Sequence, residues 1–196
     1  GPFYIISDNH FMMNNDDEEK ARRKKLSAVF NKIKSNKTGT LIIGGDFFDF
    51  WFETDYAIPN GYQTIIEELI ALKKSGIDIH YIAGNHDYWD FGYLSKTIDL
   101  EFHKNDLEFN YNNQKILITH GDGLLKNDYG YRFMKKIIRS KIFIRLFKLF
   151  PPRISFKLAN KLSKSSSHYN HNDKFINTIM KDIFNYAKNK WEDKIN

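Results

Sequence analysis

The stretch Leu41–Trp51 reads LIIGGDFFDFW. It begins as a buried strand and then sets two carboxylates, Asp46 and Asp49, among aromatic residues. An ionised carboxylate taken out of water without a compensating charge is costly, so the stretch calls for a cation. Gly44-Gly45 ends the apolar run and permits the sharp turn that would bring both acids to one place. Three other stretches share this form, an apolar run followed by ligand-type residues. IISDNH carries Asp8 and His10. YIAGNHD carries Asn85, His86 and Asp87. LITHGDG carries His120 and Asp122.

Around these stretches the chain alternates strands and helices. Phe3–Ser7, Leu41–Ile43 and Ile77–Ala83 are predicted strands. Asn15-Asp16-Asp17 is a helix start with acids in its first turn, and Leu26, Val29, Phe30 and Ile33 follow at helical spacing. Tyr62, Ile65, Ile66, Leu69 and Leu72 form a second helix face, with Gly76 as its stop. Leu107–Tyr111 and Lys115–Thr119 read as a hairpin around Asn112-Asn113. This order implies an α/β sheet with helices on both faces. In open α/β sheets, sites lie beyond the carboxyl ends of strands, so four separated clusters are expected to converge there. His80 is expected inside a strand and His103 in a linker, neither as a ligand.

The chain has 196 residues, of which 41% are hydrophobic and 16% aromatic, enough for a substantial core. It has no cysteine, which excludes disulfides and thiolate metal sites. The net charge of +6 is unevenly placed: Tyr129–Asn172 holds eleven Lys/Arg and no Asp/Glu. The remainder carries 19 basic against 24 acidic residues, a mildly acidic body with one basic segment. Such a segment suits phosphates. No RNA-binding signature or zinc finger accompanies it, and no nucleic-acid partner is expected. Gly1-Pro2 is set aside as a cleavage scar.

The donors are carboxylate, imidazole and amide, without sulfur, which favours Mn²⁺, Fe²⁺ or Zn²⁺ over Ca²⁺. A carboxylate shared between two ions would hold them about 3.5–4 Å apart. Each stretch alone suits an ordinary turn. Their joint occurrence, in order and each at a strand end, is what points to a metal centre.

These residues resemble the calcineurin-like metallophosphoesterases. The family's Asp-x-His is similar to Asp8-Asn9-His10, its Gly-Asp-x-x-Asp to Gly45–Asp49, its Gly-Asn-His-Asp to Gly84–Asp87, and its next histidine to His120. The resemblance implies an α/β fold with a β-sandwich core flanked by helices, over residues 3–125, and a helical insertion or cap over 126–196. It implies two divalent ions, with Mn²⁺ expected. Asp8 and His10 would hold the first, Asp46 would bridge, and Asn85 and His120 would hold the second. His86 would touch the scissile phosphate or protonate the leaving oxygen, and Asp49 and Asp87 would orient the ligands. The family closes its site with Gly-His-x-His, which this sequence lacks. The expectation is a chain cut short of that motif, with a natural pseudoenzyme as the alternative. His168-Tyr169-Asn170-His171 has the wrong spacing to replace it.

Within the family, GNHDYWDFG and HGDGLLKNDYGYRFMKKIIR are similar to the UDP-2,3-diacylglucosamine pyrophosphohydrolases of lipid A synthesis. By that resemblance Asp128, Tyr131, Ser163 and Lys164 contact substrate, a lipid-linked sugar nucleotide split to UMP and an acylated sugar phosphate. The same resemblance implies a peripheral protein on the cytosolic face of a bacterial inner membrane. The segment Phe133–Lys164 mixes bulky apolar groups with cations, which acyl chains and phosphates respectively want. Such helices also suit an anionic membrane surface. Its apolar face changes sides near Ser140, which predicts a bend or two helices. Helical runs are further expected at Ile154–Leu162 and Lys174–Trp191. Other readings are a phosphoesterase of nucleotides or phosphoproteins, and a non-catalytic membrane-associated protein.

Overall fold

The computed structural model describes residues 1–54, 58–150 and 173–192. The chain forms two compact units, Gly1–Asn105 and Asp106–Asn196. The first runs β1 (Phe3–Ile6), α1 (Asp17–Lys34), β2 (Gly39–Ile43), α2 (Gln63–Lys74), β3 (Ile77–Ile82), α3 (Tyr93–Ile98) and β4 (Glu101–His103). Its four strands make one sheet in the order β1-β2-β3-β4. All neighbours are parallel, with Ile6 opposite Ile43, Ile43 opposite Tyr81, and Tyr81 opposite Phe102.

That register decides what faces the core. Leu41, Ile43, Ile77, Ile79 and Tyr81 share one cluster with Leu26, Phe30 and Ile33 of α1, Ile65, Leu69 and Leu72 of α2, and Leu94 and Ile98 of α3. Alternate residues point the other way, and there Phe3 and Ile5 are exposed. Within this unit the three helices therefore pack on one face, where the alternation of elements suggested both. The helix ends follow local chemistry. Asp16 caps α1 by accepting from the Glu19 amide at 2.8 Å. Gly76 turns the chain after α2 at a φ of 95°. There a Cβ would stand 2.6 Å from the Lys37 carbonyl oxygen, so only glycine fits.

α3 and β4 have no counterpart in the periodicity. Glu101-Phe102-His103 is three residues long and carries no apolar run. It is a strand because it pairs with β3, and His103 accordingly lies in a strand rather than a linker.

The second unit begins with the hairpin of β5 (Leu107–Tyr111) and β6 (Gln114–Ile118), antiparallel as expected. Its turn residues Asn112 and Asn113 have φ of 49° and 63°, which asparagine tolerates well. Among the described residues the hairpin pairs with itself alone. The strand that leads to His120 is thus not the fourth strand of the parallel sheet; β4 takes that place. Beyond it lie α4 (Tyr129–Ile138), α5 (Lys141–Lys148) and α6 (Asp173–Glu192). Ser140 divides α4 from α5 and caps the latter, its Oγ accepting from the Phe143 amide at 3.2 Å. The bend read from the apolar face at Ser140 is therefore a break into two helices. The expected helix at Ile154–Leu162 lies outside the described residues, as do His168, His171, Ser163 and Lys164.

Candidate metal centre

The loops after β1, β2 and β3 continue the pairing of their strands. The Asp8 amide donates to the Gly45 carbonyl at 3.0 Å, that of His10 to Asp46 at 2.9 Å, and that of Phe11 to Phe47 at 2.9 Å. On the other side, the Trp51 amide donates to the His86 carbonyl and the Glu53 amide to the Trp89 carbonyl, both at 2.9 Å. Three loops that carry candidate ligands are thereby fastened side by side.

Such close threading bends the backbone out of its usual regions. Asp8, His10 and Asp46 have φ of 53°, 45° and 49°. Left-handed conformations at non-glycine residues carry a cost that the surrounding structure must offset. Three of them at the candidate ligands show that the fold holds these side chains against local preference. Gly84 serves the same end by its size. A Cβ there would stand 2.0 Å from Asp46 Oδ1 and 2.4 Å from the Asp46 nitrogen.

Within LIIGGDFFDFW the residues divide by direction. Phe47, Phe48 and Trp51 are fully buried. Phe48 stacks on Trp51 at 5.0 Å, and Phe47 meets Tyr81 edge-on at 6.2 Å. Asp46 and Asp49 turn toward imidazoles instead. His10 Nε2 lies 3.7 Å from Asp46 Oδ2, and His10 Nδ1 lies 3.8 Å from Asp49 Oδ1. The His10 and His86 rings meet edge-on at 4.7 Å. Two groups of donors result, each with its atoms within 4.8 Å of one another: Asp8, His10 and Asp46, and His10, Asp49 and His86. Oxygen and imidazole donors held this close suit a divalent transition ion.

The protonation states fit that use. Burial holds the His10 imidazole below its ordinary range, against the pull of Asp46. A neutral imidazole has a lone pair to give. His86 Nδ1 lies 2.7 Å from the Asp49 carbonyl oxygen. A carbonyl can only accept, so Nδ1 carries the proton and the free lone pair stands on Nε2. Asp87 is fully buried and does not join these donors. It accepts from the amides of Phe47 at 2.8 Å and Gly84 at 2.7 Å and from the Tyr81 hydroxyl. Burial, and then the charge of Asp46, pushes its carboxyl up, against those hydrogen bonds. Asp87 thus ties the β2 loop to the β3 loop. Asn85 stands half-buried between Gly84 and His86 in the β3 loop.

His120 and Asp122 follow β6 in the second unit, where both are half-buried. Asp122 Oδ2 accepts from Tyr131 Oη at 2.8 Å, Lys135 Nζ at 2.8 Å and Arg139 at 3.4 Å. Burial would raise this carboxyl, but the Lys135 hydrogen bond and the charges of Arg139 and Lys135 outweigh it and hold it below the usual range. Asp128 caps α4, accepting from the Tyr131 amide at 3.1 Å. The two residues expected to contact substrate here therefore also shape the start of α4.

Sequence reasoning missed the supports behind the first unit's loops. Arg22 of α1 donates to the carbonyls of Asn9 and His10, and its guanidinium lies 5.2 Å from the centroid of the Phe11 ring. Glu19, 2% exposed, holds Arg22 at 2.9 Å and Arg23 at 3.0 Å. The only signal was the spacing Glu19-x-x-Arg22-Arg23, which every solvated helix face can show. Ser7 was missed as well; its hydroxyl bonds the Asp8 carboxylate.

The family model described as calcineurin-like phosphoesterase matches residues 1–185. A UDP-2,3-diacylglucosamine hydrolase of Porphyromonas gingivalis is 26% identical, over 90% of this chain and 67% of the relative. Namesakes from Proteus mirabilis and Hamiltonella defensa are each 35% identical, over 66% and 72% of this chain and 55% of each relative. The chain thus spans between half and about two thirds of these relatives. A solved protein of unknown function from Aquifex aeolicus aligns at 18% identity, over 69% of this chain and 70% of that one, with a TM-score of 0.37, too low to bear on the fold. With the family model matching nearly the whole length and the paired donor groups standing at strand ends, the chain belongs to the calcineurin-like phosphoesterases.

Proposed function

We propose that this chain carries the metal centre of a hydrolase that splits the pyrophosphate of UDP-2,3-diacylglucosamine, giving UMP and 2,3-diacylglucosamine 1-phosphate. The observation that carries the reading is the donor group Asp8, His10 and Asp46, with Asp49 and His86 beside His10, on three loops joined through the β2 loop by backbone hydrogen bonds. The names of the relatives support the substrate. In this reading Asp8, His10 and Asp46 hold one divalent ion, with Mn²⁺ favoured. Asp46 and Asn85 would serve a second. When bound, such ions polarise phosphoryl oxygens and acidify a water enough to attack phosphorus.

The chain's own residues do the rest. His86, its Nδ1 committed to the Asp49 carbonyl, offers Nε2 to the phosphate or to the leaving oxygen. Asp49 orients His10 and His86. Asp87 holds the two loops at fixed spacing from a buried position.

The lipid part of the substrate is supported by the second unit. α4 and α5 expose Phe133, Ile137, Ile142 and Leu146 among Lys136, Lys141 and Arg145, and Leu149 at the end of α5 is exposed as well. Apolar and cationic groups on one pair of helices suit acyl chains and an anionic surface. We place the protein peripherally, on the cytosolic face of a bacterial inner membrane. No described helix is long and apolar enough to cross one.

The test is release of UMP from the diacylated sugar nucleotide by metal-stripped protein resupplied with Mn²⁺. Asp46→Ala should abolish turnover and lower the bound Mn²⁺, while circular dichroism stays unchanged. Turnover unaffected by that substitution would refute the metal assignment. Equal turnover of a water-soluble UDP-sugar would refute the lipid substrate.

A further inference from the structure

The sheet carries a second group of donors that the phosphoesterase centre does not use. His80 lies on β3, and Glu101 and His103 lie on β4. His80 stands directly opposite Glu101 in the parallel register, and His103 follows two residues on, so all three share one face. The helices pack on the other face. His80 Nδ1 lies 3.1 Å from His103 Nε2 and 3.3 Å from Glu101 Oε2, and His103 Nε2 lies 3.8 Å from the same oxygen.

These separations have the size that a metal ion requires. Bonds of about 2.0–2.2 Å from zinc to nitrogen or oxygen, at tetrahedral angles, set neighbouring donors about 3.3–3.6 Å apart. The three observed edges bracket that range, so closure on an ion needs movements of a few tenths of an ångström. A hydrogen bond between two neutral imidazoles accounts for the shortest edge alone. It does not account for a carboxylate oxygen closing the triangle from the same strand. The imidazoles are about one quarter exposed and the carboxylate is 71% exposed, so the open side faces water. A solvent molecule can fill the remaining position there.

We propose that His80, Glu101 and His103 form a binding site for a borderline transition cation of the Zn²⁺ type, separate from the phosphoesterase centre. Two imidazoles and one carboxylate suit such ions better than Mg²⁺ or Ca²⁺, which prefer oxygen throughout. The ring whose N–H now fills the gap takes its other tautomer, and both nitrogens then face the ion. The ion clips the three-residue edge strand β4 to β3, whose loop carries Asn85, His86 and Asp87.

The test uses the full chain, stripped with chelator and dialysed against graded Zn²⁺, with bound zinc counted by mass spectrometry. His103→Gln and His80→Gln should each hold one zinc fewer than the parent, or bind it at least about tenfold more weakly, since outer-shell changes alone cost that much. Asp46→Ala should keep this ion while losing zinc from the strand-end loops, which separates failure of this site from failure of the phosphoesterase reading. In Asp46→Ala protein, one equivalent of Cu²⁺ should give an electron paramagnetic resonance spectrum with coupling to two imidazole nitrogens. His103→Gln should remove one of them. If both glutamine variants fold, by circular dichroism, and bind zinc in the parent's number and affinity, the proposal is overturned. Should His103→Gln fail to fold, His80→Gln and Glu101→Gln decide on the same criteria.

Discussion

Gly84→Ala isolates what close packing contributes to the metal centre. Gly84 does not have a positive φ, so alanine meets no torsional objection there. The whole effect must come from contact. The new methyl would lie 2.0 Å from Asp46 Oδ1, 2.4 Å from the Asp46 nitrogen and 2.8 Å from Asp46 Cγ. One of these atoms belongs to the backbone, so rotating a side chain cannot relieve the clash and the β2 and β3 loops must part. Two hydrogen bonds span that gap, His86 amide to Asp46 Oδ1 at 2.9 Å and Phe47 amide to Asp87 Oδ2 at 2.8 Å. Overpacking costs about 1–3 kcal/mol. A weakened hydrogen bond to a buried carboxylate adds about 1.5–3 kcal/mol. The sum, about 2.5–6 kcal/mol, is a large part of the roughly 5–15 kcal/mol that holds a domain folded. For a chain of this length it corresponds to a melting temperature lower by roughly 5–24 °C. Calorimetry of the metal-free protein measures it, and Mn²⁺ titration should show weaker binding at the strand-end loops. A variant that melts within about 1 °C of the parent and binds Mn²⁺ unchanged would refute the close approach of the two loops.

Three further outcomes follow from the supports. Arg22→Ala frees the Asn9 and His10 carbonyls and leaves Glu19 with Arg23 alone; it should cost about 1–3 kcal/mol in urea unfolding and weaken Mn²⁺ binding, with Arg22→Lys recovering only part of the loss. Asp87→Asn keeps one oxygen and turns its NH₂ either toward Gly84 N or toward Phe47 N and Tyr81 Oη, and should destabilise by about 1–3 kcal/mol; an Asp87→Asn variant as stable as the parent would contradict that network. Asp122 has its carboxyl held below the unfolded range, so the folded state binds fewer protons than the unfolded state as pH falls. Its stabilisation is present above the ordinary carboxylate range and is lost as pH falls through the depressed value. Urea unfolding from pH 7 downward should therefore show a shallower acid loss in Asp122→Asn than in the parent.

Much of the centre can be read one residue at a time. Asp8, His10, Asp46, Asp49 and His86 announce themselves because ligand-type side chains after short apolar runs are rare in combination, and strand ends bring them together. The hairpin at Asn112-Asn113 and the break at Ser140 are equally local, decided by turn preference and by which side of a helix is apolar. The supports are of another kind. Arg22 and Glu19 look like any charged helix face until α1 is laid beside the β1 loop. β4 looks like linker because three residues carry no period, and it becomes a strand only when β3 offers its edge. The left-handed backbone of Asp8, His10 and Asp46 leaves no mark on the sequence, since Asp and His are common in every conformation.

The amino-acid order by itself marked Asp8, His10, Asp46, Asp49 and His86 as candidate ligands, because donor chemistry belongs to the residue and strand periodicity places it at an end, but it set His80 and His103 aside. Only the tertiary structure decided what holds those donors still, that the helices of the first unit cover a single face of its sheet, and that His80, Glu101 and His103 meet. Those are consequences of pairing between segments distant in the chain, and the energy of such pairing depends on which neighbour is present.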